Sequence, residues 1–278
     1  MYYQGINAER EKYKVKSNGG IVYRQSNVRN YFICPKSFQI AQSLPEDVHS
    51  SLIESRLTNM GLLFEGYVMG FKGEETEIKG IGTDVKLRIK SAAEYLLEYP
   101  LKDALPFTPN AKFKNIVNEG QKYYNQLLKR NGYYISGEAD IFHNEFGFWD
   151  IKHTEEMNYS GWNGEITREN KLQCIHYTYM RWKGTKEFHD FYYVCVESKM
   201  DTPIIRIMHY RPTEEDFEWF EEVMDRIHTD PFFMENTGDY GDNCLQQKYG
   251  KARGRCKYLP HCNAGKSFLG GFHELSFK

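Results

Sequence analysis

The chain has 278 residues, of which 40% are hydrophobic, 15% aromatic and 27% charged, and its mean hydropathy is −0.68. These proportions exclude a disordered or collagen-like chain and predict a water-soluble globular protein. The 36 basic and 38 acidic residues leave a formal net charge of −2, which excludes a protein that coats nucleic acid through bulk positive charge. The length allows two domains but is also ordinary for one α/β unit, and we expect a single compact unit over 1–278.

The sequence has no stretch that is long and apolar enough for a membrane-spanning helix. One of its longest apolar runs, 191–196, has six residues, whereas a spanning helix needs about 20. The N-terminus also lacks the basic and apolar pattern of a secretion signal. We therefore expect a cytoplasmic protein with no membrane partner.

Helical spacing of apolar residues dominates the first half of the chain. Residues 1–25 are polar and predict an irregular or hairpin segment. A short helix is then predicted from Ser26, a candidate N-cap, to the residues before Pro35. Longer helices are predicted over 46–71, 87–97 and 113–130.

The pattern then changes from helical to alternating. Two strands rich in aromatic and β-branched residues are predicted over 133–142 and 146–152, with a polar turn between them. Thr167 is expected to cap a helix that ends near 182, and strands follow over 188–197 and 203–210. Thr213 is expected to cap an acidic helix that ends near 227. Helices before and after a short sheet predict a layered α/β or α+β domain.

Asp150 and Lys152 form the pair that points most strongly to chemistry. Acid-x-Lys pairs occur five times in the chain, but this one lies late in a predicted strand, whose period of two turns both side chains to one face. Asp140 falls opposite Asp150 if the hairpin turns near 145, and Glu138 on the same face is an alternative. Facing carboxylates repel unless a cation lies between them, so the hairpin predicts a divalent-metal site, with an ordinary charged surface as the alternative.

Two helices contribute further candidate side chains. Gly61 precedes Glu65 by one turn, so the helix backbone can approach a neighbouring element on the face that carries the carboxylate. Gln173 and Tyr177 are spaced i, i+4 and lie on one stripe of the later helix. Ordinary packing is the alternative explanation for each pair.

The six cysteines divide into two groups. Cys174 and Cys195 lie in predicted regular elements and are expected in the core. The other four lie near the chain ends and are Cys34, Cys244, Cys256 and Cys262. In a reducing compartment such residues are metal ligands or buried thiols rather than a disulfide framework.

Charge is segregated towards the C-terminus. Residues 214–242 contain eleven acidic residues and one basic residue, whereas 243–257 contain five basic residues and no acidic one. A local basic segment can contact phosphates, and a solvated charged surface is the alternative. The candidate phosphate-binding residues are Lys248, Lys251, Arg253 and Arg255.

The order of these motifs resembles that of the RecB-like exonucleases in the PD-(D/E)XK nuclease superfamily, in the branch of stand-alone enzymes with an iron–sulfur cluster. The motifs are Gly-x-x-x-Glu at 61–65, Gly-x-x-Asp at 137–140, Asp-x-Lys at 150–152, Gln-x-x-x-Tyr at 173–177 and the four terminal cysteines. The resemblance implies a restriction-endonuclease-like core over 46–235, with a short mixed β-sheet flanked by helices. It also implies an iron–sulfur region built from both chain ends, 26–45 with 236–278.

The resemblance further implies a metal-dependent exonuclease that hydrolyses phosphodiester bonds of linear DNA, in recombination, repair or spacer processing. The expected ligands of Mg²⁺ or Mn²⁺ are Glu65, Asp140, Asp150 and the carbonyl of Ile151. Lys152 would orient the attacking water or stabilise developing charge. Gln173 and Tyr177 would hold the lysine and the DNA backbone in place.

The four terminal cysteines would hold a [4Fe-4S] cluster, with zinc as the alternative. The expected partners are DNA and a recombination or CRISPR-adaptation protein. A non-catalytic DNA-binding or recruitment protein that retains the nuclease fold is the alternative function.

Overall fold

The computed structural model of the protein describes residues 20–33, 38, 56–70, 81–102, 111–157, 166–199 and 201–229. The first described elements are β1 (Ile21–Arg24), α1 (Gln25–Ile33), α2 (Arg56–Met69), α3 (Thr83–Leu97) and α4 (Phe113–Glu119). The helices predicted near 26–34 and over 87–97 are confirmed, as is the described part of the one predicted over 46–71. Ser26 is not an N-cap, because α1 begins at Gln25 directly after β1. That strand, which contains Ile, Val and Tyr, is missing from the sequence prediction.

The remaining elements are β2 (Gln121–Lys129), β3 (Tyr133–His143), β4 (Gly147–Thr154), α5 (Arg168–Thr185), β5 (Phe191–Glu197), β6 (Ile204–Tyr210) and α6 (Glu214–Thr229). The predicted hairpin, both later strands and both later helices are confirmed. The hydroxyls of Thr167 and Thr213 each accept the backbone N–H three residues on, at 3.3 Å, so both caps are confirmed. None of these described helices is long and apolar enough to cross a membrane.

The helix predicted over 113–130 is wrong in its second half. Helix α4 ends at Glu119, and β2 begins at Gln121. Between them lies Gly120, where a Cβ atom would be 2.6 Å from the carbonyl oxygen of Ile116, so the chain turns where no side chain fits. Strand β2 then pairs antiparallel with nearly the whole of β3. This pairing with the next strand overrides the helical spacing of the apolar residues.

The described strands form a six-stranded mixed sheet in the order β1-β3-β4-β5-β6, with β2 also paired to β3. Strands β3 and β4 are an antiparallel hairpin, and β5 and β6 are also antiparallel. Strands β4 and β5 are parallel, and α5 is the crossover that such a pair requires. The expectation of a mixed sheet flanked by helices is therefore confirmed.

The sheet separates two apolar layers. One face packs against α2, α3 and α4 through residues that include Phe64, Ile89, Phe113, Trp149 and Val194. The other face packs against α5 through Phe148, Cys174, Tyr177, Tyr193 and Cys195. Both cysteines are fully buried, as predicted. Because side chains alternate along a strand, Asp150 lies on the face opposite Trp149, towards α5.

The chain divides into two compact units, Met1–Val22 with Ser55–Phe220, and Tyr23–Glu54 with Glu221–Lys278. The described candidate catalytic and metal-binding residues all belong to the first unit. In the second unit, Tyr23 stacks on Phe38 at 6.1 Å, and its hydroxyl lies 3.2 Å from Nδ1 of His228. The boundaries of the nuclease core and cysteine region that the sequence suggests stay predictions.

Candidate active site

The hairpin of β3 and β4 brings the two candidate aspartates together. Its register pairs Ile141 with Trp149, so Asp140 and Asp150 are the residues directly beyond the last pair on the two strands. The backbone ladder ends at Ile141. Beyond it, the N–H of Ile151 donates to Oδ2 of Asp140 at 2.7 Å. The Asp140 side chain therefore links the two strands at the point where their backbones separate.

Glu138, the alternative to Asp140, contacts a different strand. Its Oε2 accepts from Nδ2 of Asn125 on β2 at 3.3 Å. The structure therefore favours Asp140 as the partner of Asp150.

Asp150 is buried and held by two side chains. Its Oδ1 accepts from Nε2 of Gln173 at 2.7 Å, and its Oδ2 forms an ion pair with Nζ of Lys152. Burial raises the pKa of Asp150 to about 6. Lys152 and Gln173 favour the charged carboxylate, whereas Asp140 disfavours it. Lys152 and Gln173 thus offset part of the cost of burying the charged carboxylate.

Lys152 is the part of the site that solvent reaches, because its side chain is 33% exposed and that of Asp150 only 4%. Burial acts to lower the pKa of Lys152. The negative charges of Asp150, Asp140 and Glu65 outweigh that effect and raise the pKa above its usual value. Three carboxylates therefore act on one ammonium group.

Helix α2 brings Glu65 to this site from the other apolar layer. The ring of Phe64 stacks on His153 at 5.0 Å, which fixes α2 against the end of β4. The predicted close approach at Gly61 is wrong, since a Cβ there would meet no described atom within 4 Å. Phe64, rather than the glycine, provides the contact that places Glu65.

The close backbone approach occurs instead at Gly137. A Cβ on Gly137 would lie 2.5 Å from Cε1 of Tyr177 and 3.3 Å from Cδ2 of His176. The Tyr177 ring is also stacked on Phe191, with an interplanar angle of 4°. Tyr177 is 5% exposed, and burial with the nearby Asp150 raises its pKa well above the usual value. Gly137 of the Gly-x-x-Asp motif therefore makes room for Tyr177 of the Gln-x-x-x-Tyr motif.

Tyr193 is a member of the site that the sequence prediction missed. It pairs with Asp150 across the parallel strands β4 and β5. Its hydroxyl donates to the carbonyl of Asn170 at 2.8 Å and to Oε1 of Gln173 at 3.2 Å. Buried tyrosine hydroxyls need a hydrogen-bond partner. A tyrosine within the apolar pattern of β5 was therefore the feature of the sequence that could have indicated a buried hydroxyl at the site.

The backbone of β2 is distorted opposite Asp140. Lys122 pairs with Ile141 and Tyr124 with Ala139, while Tyr123 between them has a φ of 50°. A left-handed backbone at an aromatic residue costs about 1–3 kcal/mol. Nδ2 of Asn125 donates to the carbonyl of Tyr123 at 2.9 Å and helps to hold this conformation.

His176 lies beside the site and is buried as a neutral ring. Its Nε2 donates to the carbonyl of Ser136 at 2.9 Å, and its Nδ1 has no hydrogen-bond partner among the described residues. The rings of Tyr177 and Phe220 meet it edge-on. Burial lowers the pKa of His176 to about 4.

Because His176 is buried in its neutral form, we expect the folded protein to lose stability in acid. Between pH 6.5 and 4 the unfolded chain binds the proton and the folded chain does not, so the free energy of unfolding should fall by about 3 kcal/mol as the pH drops through this window. His176→Gln keeps an amide donor for Ser136 and removes the titration. Urea unfolding of both proteins from pH 7 to pH 4 should show a shallower decline in the variant, and parallel curves would contradict the assignment.

The charges and donor atoms of the site fit a divalent cation. Carboxylate oxygens are the ligands that Mg²⁺ and Mn²⁺ prefer, and three carboxylates act on this site. As placed, no group of three or more His, Cys, Asp or Glu side chains within the described ranges forms a finished ligand cluster. The chemistry of the donors suits the ion, but these side chains are not placed as a ligand cluster.

The remaining candidates lie outside the described residues. They are Cys34, Cys244, Cys256 and Cys262, and Lys248, Lys251, Arg253 and Arg255. The iron–sulfur cluster and the basic DNA-binding segment therefore stay predictions.

No protein-family model and no curated protein matches the sequence. Two solved structures are similar to the chain. One is the "Putative exonuclease" from Eubacterium rectale, 14% identical over 90% of this chain and 91% of that chain, with a TM-score of 0.49. The other is SSO0001, 14% identical over 94% and 95% of the two chains, with a TM-score of 0.48. No activity follows from similarities at this level.

Proposed function

We propose that the protein is a metal-dependent nuclease that hydrolyses phosphodiester bonds of linear DNA. The observation that supports this most strongly is the charge of the site, where Glu65, Asp140 and Asp150 act together on Lys152. A buried structural ion pair needs one carboxylate for one ammonium, whereas three carboxylates act on this ammonium, and carboxylate oxygens are ligands that Mg²⁺ and Mn²⁺ prefer. The motif order of the sequence supplies the substrate class, DNA.

In this proposal Glu65, Asp140 and Asp150 would hold Mg²⁺ or Mn²⁺. When bound, such an ion lowers the pKa of its water and offsets charge on the scissile phosphate. Lys152 is charged and part-exposed, so its ammonium would donate to a phosphate oxygen where negative charge develops. Gln173 fixes the carboxylate of Asp150 through Oδ1, which leaves Oδ2 towards Lys152.

The direct experiment is to incubate the full chain with end-labelled linear DNA and Mn²⁺, Mg²⁺ or EDTA. We expect nucleotides to be released with either metal and none in EDTA, and closed circular DNA to resist. Binding of DNA without any product in either metal would contradict the proposal and favour the non-catalytic alternative.

Glu65→Gln should raise the metal concentration that gives half-maximal activity by about tenfold. The amide keeps the shape of the side chain but removes one negative charge from the site. A metal titration of the nuclease activity measures this shift. Glu156→Gln is the matched control, because Glu156 pairs with Lys199 at 2.8 Å and has no contact with the candidate carboxylates. An unchanged titration in Glu65→Gln would return Glu65 to a purely structural role.

A further inference from the structure

We infer that Tyr193 is a positioning residue of the proposed site, which fixes the amide of Gln173 so that Gln173 in turn fixes Asp150. The inference rests on the proposed nuclease function. It concerns a hydroxyl that no motif in the sequence includes.

The amide of Gln173 has two ends of opposite character, and only one suits Asp150. Its NH₂ end donates to Oδ1 of Asp150 at 2.7 Å. A flipped amide would place its oxygen against the carboxylate, so two acceptors would face each other. Whatever group binds the oxygen end therefore determines whether the amide can hold Asp150.

Tyr193 binds that oxygen end. Its hydroxyl lies 3.2 Å from Oε1 of Gln173 and 2.8 Å from the carbonyl of Asn170. The hydroxyl proton is shared by both acceptors, and the shorter bond ties the phenol to the first turn of α5. The chain of contacts then runs from the start of α5 through Tyr193 and Gln173 to Asp150.

The environment of Tyr193 keeps it in this role. The ring is fully buried in the apolar layer beneath α5, and it packs against Phe191 at 5.0 Å. Burial raises the pKa of Tyr193 well above its usual value, so the phenol keeps its proton and remains a donor. Tyr193→Phe removes this donor and leaves the ring that fills the core.

Tyr193→Phe should lower kcat for DNA hydrolysis about fivefold to tenfold, the effect of one lost hydrogen bond, with the KM for DNA within twofold of the wild type. Far-UV circular dichroism and thermal unfolding establish that the variant is folded. The matched control is Tyr192→Phe on the same strand. Tyr192 faces the opposite layer and stacks on Trp149 at 4.4 Å, so its kcat should match the wild type.

A double-variant cycle separates positioning from general packing. Gln173→Met removes the amide, so adding Tyr193→Phe to it should change kcat by less than twofold, because the hydroxyl then has nothing to position. If the double variant instead loses kcat by the product of the two single-variant losses, Tyr193 acts independently of Gln173 and the inference is overturned. A wild-type kcat in Tyr193→Phe overturns the inference alone, whereas a wild-type protein without metal-dependent hydrolysis overturns the proposed function and the inference together.

Discussion

Lys152→Met should reduce the hydrolysis of linear DNA by about a hundredfold to a thousandfold, because it removes the charged donor at the exposed side of the site. Methionine keeps most of the length and apolar volume of the lysine stem. The folded structure should persist, since Asp150 already has a pKa of about 6 and can take up a proton when its counter-charge is removed. Initial rates at saturating metal and DNA measure the loss.

Lys199→Met is the control for this substitution. Lys199 is about half exposed and pairs with Glu156 away from the candidate carboxylates, so its removal should leave the rate unchanged. If Lys152→Met retains the rate of the wild type within threefold while circular dichroism shows a native fold, Lys152 has no part in hydrolysis and the proposed mechanism is wrong.

Gly137→Ala should lower the free energy of unfolding by about 1–3 kcal/mol, the cost of forcing a methyl group into a filled space. The new Cβ would lie 2.5 Å from a ring carbon of Tyr177. That ring has little freedom to move away, because Phe191 lies parallel to it on β5. Urea unfolding at neutral pH measures the change.

Gly184→Ala provides the comparison. Gly184 lies in the exposed end of α5, and a Cβ there would meet no described atom within 4 Å. Alanine favours a helix by about 1 kcal/mol relative to glycine, so this variant should be neutral or more stable. Equal stability changes in the two variants would show that contact with Tyr177 is not what requires glycine at 137.

The sequence predicts the hairpin of β3 and β4 well because the alternation of side chains and the short turn are both local features. The alternation along β3 and β4 gives the face of Asp150 and Lys152, and the short turn gives the register that pairs Ile141 with Trp149 and so brings the two aspartates close together. Thr167 and Thr213 are equally local, since a cap bonds a backbone group three residues away. Each of these features depends on a few neighbouring residues.

The missed features depend on contacts that the residue pattern of a single segment does not show. Strand β2 is a strand because β3 lies beside it, and its own spacing of apolar residues resembles a helix. Tyr193 enters the site only because parallel pairing of β4 with β5 puts it next to Asp150. Gly61 was expected to allow a close approach, but that approach occurs at Gly137, whose neighbour Tyr177 lies 40 positions further along the chain.

The ring of Tyr177 fills the space that a side chain at position 137 would need, and this has an evolutionary consequence. In a set of relatives the two positions should covary, with a large flat ring at 177 only where 137 is glycine. Selection for packing would preserve both residues even in a descendant that had lost Asp150 and Lys152 and no longer performed chemistry. A search for active members of such a lineage should therefore rely on the carboxylates and the lysine. Gly137 and Tyr177 indicate only that α5 packs on the sheet.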